Sequence, residues 1–293
     1  MKVLLVDANN LAYRNFYAQN LKTKTGQNTG MVYGFINSML SAVRDLNPDL
    51  IQYVWDPPGG SAYRLALYGL YKGNRDSQGP DFYEEMTLLK QLLTALGCTQ
   101  ITKPSVETDD VIGYLAMTHY VDHQVVIYSN DKDMLQLVSD RVAVYQPDKG
   151  VLNTDSEGRI PIKEQNKTIW LKPHQVADYK ALVGDPSDNY PGIPGFGIGA
   201  AISYFTLNDS VQGLLDNTAR LSNLRSNVLS AIINHRGMVP LWRQLATINL
   251  EEGQVPVPAR PVKNQDIVLA LFEQLEFNQF KALGDIIYRI GGM

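Results

Sequence analysis

The first half of the chain alternates short apolar runs with stretches of helical periodicity. Lys2-Val-Leu-Leu-Val6, Leu50-Ile-Gln-Tyr-Val-Trp55 and Gln124-Val-Val-Ile-Tyr-Ser129 are rich in β-branched and aromatic side chains, as strands are. Between them, residues 31–45 carry Val32, Phe35, Ile36, Met39, Leu40 and Val43 on one helical face. Residues 81–96 are again helical, a strand is expected near Ile101, and a further helix opens at Glu107 and runs to about Tyr120. Strands alternating with helices predict an α/β unit with a mostly parallel central sheet flanked by helices. Residues 141–170 read as short strands and turns that extend the sheet, and past Lys172 only helical patterns follow. The expected division is an α/β domain over 1–172 and a helical domain over 173–293.

Acidic residues recur where the apolar runs end. Asp7 follows the first run, Asp56 the second, and Asp131 and Asp133 the third. Glu107, Asp109 and Asp110 open a helix, and Asp185 and Asp188 precede a Gly/Pro-rich hairpin. In parallel sheets ligands sit beyond the carboxyl ends of the strands. Three strands therefore deliver Asp7, Asp56 and the Asp131/Asp133 pair to one edge. So many carboxylates cannot converge without protons or cations. Divalent metal is the economical answer, and phosphodiester cleavage is the chemistry that suits it.

A net charge of −4 at first argues against a nucleic-acid partner. Setting the nine acids aside as ligands leaves 26 basic residues against 21 acidic ones. A mildly basic protein with one acidic pocket is compatible with binding DNA through metals and local basic patches. The hydrophobic fraction of 44% supports a sizeable core. Cys98 is the only cysteine, which excludes an internal disulfide and fits a reducing compartment. No apolar run reaches the length of a membrane span, and Met1 leads into a charged strand. The expectation is a cytoplasmic protein without a membrane partner.

Each motif also has an ordinary explanation. Glu107 and Asp110 share a helix face, but first-turn acids also simply suit the helix dipole. Asp131-Lys-Asp133 follows a strand directly, and Asp131 could be no more than an N-cap. Alternate acids after a strand, with Asp7 after another, also suit phosphatases that use an aspartyl nucleophile. In Tyr71-Lys-Gly-Asn-Arg75, Lys72 and Arg75 are either a solvated basic loop or two cations for a phosphate in the transition state. Arg14 and Arg64 could reinforce them. Tyr71, Tyr63 or Tyr68 could stack on an unpaired base, or belong to the core. Gly195-Phe-Gly-Ile-Gly-Ala200 fits a loose dinucleotide pattern, but two prolines rather than a strand precede it. A hairpin between two helices explains it better, with Gly192, Gly195, Gly197 and Gly199 letting backbone approach a phosphate at a helix start. The four histidines show no zinc-like spacing.

In combination and order, the motifs resemble the 5′-nuclease (flap endonuclease) family. They run Asp7, Asp56, Tyr71-Lys-Gly-Asn-Arg75, Val106-Glu-Thr-Asp-Asp110, Ser129-Asn-Asp-Lys-Asp133 and Gly184-Asp-Pro-Ser-Asp-Asn-Tyr-Pro-Gly192. The free-standing bacteriophage enzymes and the 5′-nuclease domain of bacterial DNA polymerase I are the members it looks most like. The resemblance implies a monomeric, metal-dependent nuclease that cuts 5′ flaps and degrades 5′ ends of branched or duplex DNA, with RNA–DNA hybrid as a further substrate. It implies two magnesium ions about 4 Å apart, replaceable by manganese. Asp7, Asp56, Glu107, Asp109 and Asp110 would hold one, and Asp131, Asp133, Asp185 and Asp188 the other, some through water. Lys72 and Arg75 would contact the scissile phosphate beside Asp7 and Asp56, with Arg14, Arg64 and Tyr71 also on DNA.

By the same resemblance, residues 57–96 would form a helical arch that admits the 5′ strand. A helix-hairpin-helix-like motif over about 182–205 would grip the duplex, with carbonyls of Leu182, Val183, Pro191, Ile193 and Phe196 suited to a potassium ion. Two features depart from the family pattern. Members often place Lys or Arg directly after the hairpin glycines, where this chain has Gly199-Ala-Ala201, and the arch is poor in cations. The rivals are a catalytically silent binding protein of the same fold and an aspartyl-phosphate phosphatase using Asp7. The carboxylate set favours the nuclease, since a binding module gains nothing from so much repulsion.

Overall fold

The computed structural model describes residues 1–292. Its main sheet has six strands: β1 (Lys2–Asp7), β2 (Leu50–Trp55), β3 (Thr99–Thr102), β4 (Gln124–Tyr128), β5 (Val142–Gln146) and β6 (Gly150–Leu152). They lie in the order β3-β2-β1-β4-β5-β6, all parallel except β6. The apolar runs are continuous because the central strands are covered on both sides. Val3 and Leu5 of β1 face one layer, and Leu4 and Val6 the other.

The second layer is made by the helices Gly30–Leu46 and Pro80–Ala95 against Leu4, Val6, Tyr53 and Trp55. Leu89, Leu92 and Leu93 of Pro80–Ala95 are fully buried. Residues 80–95 are thus a core element and not part of an arch, which corrects the expected span of 57–96. What remains beside the sheet edge is 57–79, with the short helix Ala62–Leu67 in it.

The end of the chain joins this same layer. The helix Gln265–Gln274 packs on Pro80–Ala95, and the 3-10 segment Gly284–Gly291 packs on Gly30–Leu46 and β2. The Tyr53 hydroxyl donates to the Ile290 carbonyl at 2.6 Å. Residues 265–291 were expected with the helical domain, but their apolar stripe (Val268, Leu271, Phe272, Ile287, Ile290) completes the α/β core. Periodicity marks such a stripe without saying what it covers.

Val3, Leu5, Ile127 and Val144 face the other layer. It is built from the helix Thr108–Tyr114, its π-helical continuation Leu115–His119, and the 3-10 turn Lys132–Leu137. The apolar cluster runs on without a break into the helices Gln175–Val183, Ile198–Phe205 and Val239–Ala246. Strands β7 (Ile160–Glu164) and β8 (Lys167–Leu171) pair only with each other, so this part does not extend the main sheet. Gln165 and Asn166, at φ 48° and 61°, make the tight turn between them. No described helix is long and apolar enough to cross a membrane.

Candidate metal centre and nucleic-acid groove

β1, β2 and β4 are neighbours in register, Val6 lying opposite Tyr53 and Tyr128, so their carboxyl ends open on one edge. Asp7 caps the helix Ala8–Ala18 by accepting from the Asn10 amide (3.0 Å) and also accepts from the Ser129 hydroxyl (2.8 Å). Asp56 accepts the Thr108 amide at 2.8 Å, and Asp131 the Asp133 amide at 2.9 Å. The ordinary capping explanation and the functional one thus hold together: the caps orient the carboxylates into the cleft. The cleft, about 180 Å³, is lined by Asp7, Asp56, Glu107, Asp109 and Asp131 with Tyr13, Lys72 and Arg75.

Two groups of three carboxylates share Asp133. Asp109, Asp131 and Asp133 bring oxygens within 4.8 Å of one another, and so do Asp133, Asp185 and Asp188. The donors are all hard carboxylate oxygens, without His or Cys, which fits magnesium or manganese better than a soft metal. Burial is the main reason Asp133 is pushed up to about 7, although Lys180 opposes it. Asp7 is raised by burial and then by Asp56, and Asp109 by burial and then by Asp131 and Asp7. Carboxylates that resist ionising alone at neutral pH gain most from a divalent cation.

The remaining predicted ligands have protein partners. Arg64 is buried and grips both oxygens of Asp110 (2.6 and 2.9 Å) and one of Glu107 (3.0 Å). Its other donors reach the carbonyls of Leu245 (2.9 Å) and Thr247 (3.1 Å). Asp110 is therefore a structural anion here and not an open ligand. Arg64 is no DNA contact, since its guanidinium has no free face. Tyr71 is buried too, its hydroxyl between Glu107 (3.0 Å) and Asp188 (3.2 Å), so it is not a stacking surface. Glu107 faces the cleft but is paired with Lys72 at 2.5 Å. Arg14 pairs with Asp148 at 3.0 Å and does not line the acid cleft.

Lys72 and Arg75 sit at the cleft rim. Lys72 adopts φ 53°, a left-handed conformation that a non-glycine residue holds only under constraint. The constraint is visible: the Lys72 amide donates to the Asp188 carbonyl (3.1 Å), Asn74 to that of Pro186 (2.8 Å) and Arg75 to that of Ser187 (3.2 Å). The Tyr-Lys-Gly-Asn-Arg motif is thus clasped to the Asp185–Asp188 loop, and Arg75 also reaches Asp188 at 3.1 Å.

That loop belongs to the hairpin between Gln175–Val183 and Ile198–Phe205. Gly184 and Gly192 have φ of 88° and 63°, and a Cβ on either would run into the other strand of the hairpin. The Leu182 carbonyl accepts from Ile193 (2.8 Å) and the Ile193 carbonyl from Phe196 (2.9 Å). Gly197 opens Ile198–Phe205 without a side-chain cap, leaving the first amides free of intrahelical partners. A groove of about 940 Å³ runs from Asn10 and Asp131 past Lys180 and Asp185 to Gly195 and Gly197.

Sequence reasoning missed three residues here. The Lys167 ammonium lies beside Gly199, 3.3 Å from where a Cβ would stand, and it lines a hollow of about 320 Å³ with Arg225. These two cations stand where Gly199-Ala-Ala201 offers none, and nothing local in the sequence links them to the hairpin. Tyr13, packed on Phe82 at 4.5 Å between ring centroids, is the partly exposed aromatic of the cleft. It lies six residues after Asp7, one turn beyond Asn10 on the same helix face, a spacing that could have revealed it.

Fold and site together define an α/β protein with a carboxylate-lined cleft at its sheet edge and a helical hairpin unit on a shared groove. The chain belongs to the 5′-3′ exonuclease family: the family's N-terminal resolvase-like domain matches residues 2–168 and its C-terminal SAM fold residues 171–266. It is 35% identical over 301 aligned residues to DNA polymerase I of Mycobacterium bovis, an alignment covering 99% of this chain and 32% of that protein. The chain thus spans about a third of the length of the curated relatives it matches. Bacteriophage T5 5′-exonuclease with bound zinc shares the fold at TM-score 0.66 and 18% identity, over 94% of this chain and 99% of that one. A T5 flap endonuclease variant in a pseudo-enzyme–product complex with DNA and metal ions does so at 0.60 and 20%, over 98% and 99%.

Proposed function

We propose that this chain hydrolyses DNA phosphodiesters at 5′ flaps and 5′ ends, using divalent ions. The observation that carries the reading is the convergence of Asp7, Asp56, Asp109, Asp131 and Asp133 at one sheet edge, four of them in a cleft rimmed by Lys72 and Arg75. Asp7, Asp56, Asp109, Asp131 and Asp133 would hold the ions, with Asp185 and Asp188 beyond them. Bound divalent ions supply Lewis-acid stabilisation of the phosphoryl oxygens and a water of lowered pKa. Magnesium fits the all-oxygen donor set, with manganese as its substitute.

The chain's own groups do the positioning. Lys72 and Arg75 offer charge to the non-bridging oxygens of a phosphate at the rim, where negative charge builds up in the transition state. Tyr13 supplies the stacking face that Tyr71 cannot. The Ile198 and Gly199 amides, with Lys167 and Arg225, take duplex phosphates at the far end of the groove. A potassium ion would sit at the hairpin carbonyls, where Val183 and Pro191 line the groove. RNA–DNA hybrid is a further substrate of the same groove, with the chain acting as a monomer. Asp7 is poorly placed as a phosphatase nucleophile, because its two oxygens already accept from Asn10 and Ser129.

The test is cleavage of a 5′-labelled flap duplex with magnesium, with EDTA, and against a matched 3′ flap. Magnesium-dependent cutting near the 5′ junction with the 3′ flap spared is expected. Binding without cutting would assign the chain to the silent binders.

A further inference from the structure

The two acid groups differ in how their charge is balanced. Lys180, in the last turn of Gln175–Val183, pairs with Asp133 and, at 2.5 Å, with Asp185. Its side chain is only 12% exposed. Asp188 has Arg75 at 3.1 Å and Lys72 at 3.7 Å. Every member of the second group therefore has a cation. In the first group only the shared Asp133 has one: among the described residues, Asp109 and Asp131, with Asp7 and Asp56 beside them, have no ammonium or guanidinium in ion-pair contact. The Tyr190 hydroxyl, buried without a hydrogen-bond partner, lies in the field of Lys180, Asp133 and Asp185.

We propose that Lys180 is the resident cation of the Asp133–Asp185–Asp188 group, so that the chain binds one divalent ion tightly and a second only in competition with this lysine. An ion entering beside Asp109 and Asp131 relieves repulsion between unpaired carboxylates. An ion entering the second group must expel an ammonium already desolvated and bonded to two of its three ligands, which costs much of what the ion gains. The lysine comes from the helical unit and the carboxylates it joins from both units, so the second site is gated by a side chain rather than by its ligand count.

The inference deepens the nuclease reading and rests on it for where the ions sit. Its test is manganese binding to the full chain, followed by the electron paramagnetic resonance signal of free Mn²⁺. The wild-type chain is expected to take one ion tightly and a second at least about tenfold more weakly. Lys180→Met should bring the second ion to within about threefold of the first, while Lys180→Arg keeps the wild-type pattern. Two equal ions in the wild type, or an unchanged second ion in Lys180→Met, would overturn the proposal. If the Met variant does not fold, Lys180→Gln decides: it keeps a polar partner for Asp133 and Asp185 without the charge and should strengthen the second ion in the same way, and an unchanged second ion there would overturn the proposal equally. Magnesium-dependent flap cutting by the wild type keeps the two ideas separate. Cutting with the wrong manganese pattern sinks the lysine assignment alone, and the expected pattern without cutting sinks the nuclease reading alone.

Discussion

The acid-lined sheet edge and the helical hairpin face the same groove but are built by opposite means. The edge is side-chain chemistry: carboxylates oriented by caps, with burial and mutual repulsion raising Asp7, Asp109 and Asp133. The hairpin is backbone geometry, in which Gly184 and Gly192 permit a close crossing and Gly197 frees the first amides of a helix. The edge should therefore fail when a charge changes, and the hairpin when a Cβ is added. A phosphate lying across both would meet metal-directed chemistry at one end and neutral amides with two borrowed cations at the other.

The largest effect should come from the lock beneath the edge. Arg64→Met leaves Asp110 and Glu107 buried without their guanidinium, at a cost of about 3–5 kcal/mol of stability. A chemical denaturation midpoint measures it, and a midpoint within error of wild type would show that the lock is incidental. Asp131→Asn comes next. It keeps the cap to the Asp133 amide but removes a charge, so cleavage should fall on the order of 10²–10³-fold with flap binding retained. Undiminished cutting would remove Asp131 from the metal ligands.

On the hairpin, Gly192→Ala puts a methyl group into the Leu182–Gly184 backbone at φ 63°. The strain, of order 1–3 kcal/mol, should weaken duplex binding while leaving manganese binding at the edge intact. Equal loss of both would mean that the two regions do not act separately. A pH series sharpens the contrast further. Burial raises Asp133 from 3.8 to about 7 against the pull of Lys180, so without metal its stabilising contribution is complete below about 4 and declines as pH rises towards 7, where the carboxylate ionises and the Lys180 pair offsets part of the loss. The melting temperature in EDTA should decline over that interval, and magnesium affinity should rise over it as the carboxylate becomes available. A flat profile in EDTA would mean that Asp133 is ionised throughout. The smallest change belongs to Lys167→Ala and Arg225→Ala, each of which should reduce the salt dependence of duplex binding by about one phosphate contact. An unaltered salt slope would leave the hairpin with its amides alone.

Much of the edge was legible because strand-ending acids need only a parallel sheet to bring them together. The hairpin was legible because Gly and Pro mark backbone that side chains cannot enter. Arg64 and Tyr71 were misread for one physical reason: a cation or phenol near acids looks the same in sequence whether it faces solvent or is sealed beneath them. The span of 57–96 was misread because the apolar stripe of Pro80–Ala95 shows that a face is buried but not against what.

The sequence by itself determined the alternation of strands and helices, the positions of the carboxylates at strand ends, and the glycines of the hairpin. These follow from local sterics and periodicity, which each segment carries alone. The tertiary structure alone decided which acids stay open and which are paired, because that depends on residues far apart in the chain, as with Arg64 and Asp110 or Lys180 and Asp133. It also decided that residues 265–291 return to the first core and that Lys167 and Arg225 flank the hairpin. Burial and charge pairing belong to the assembled molecule, and no stretch of the chain encodes them separately.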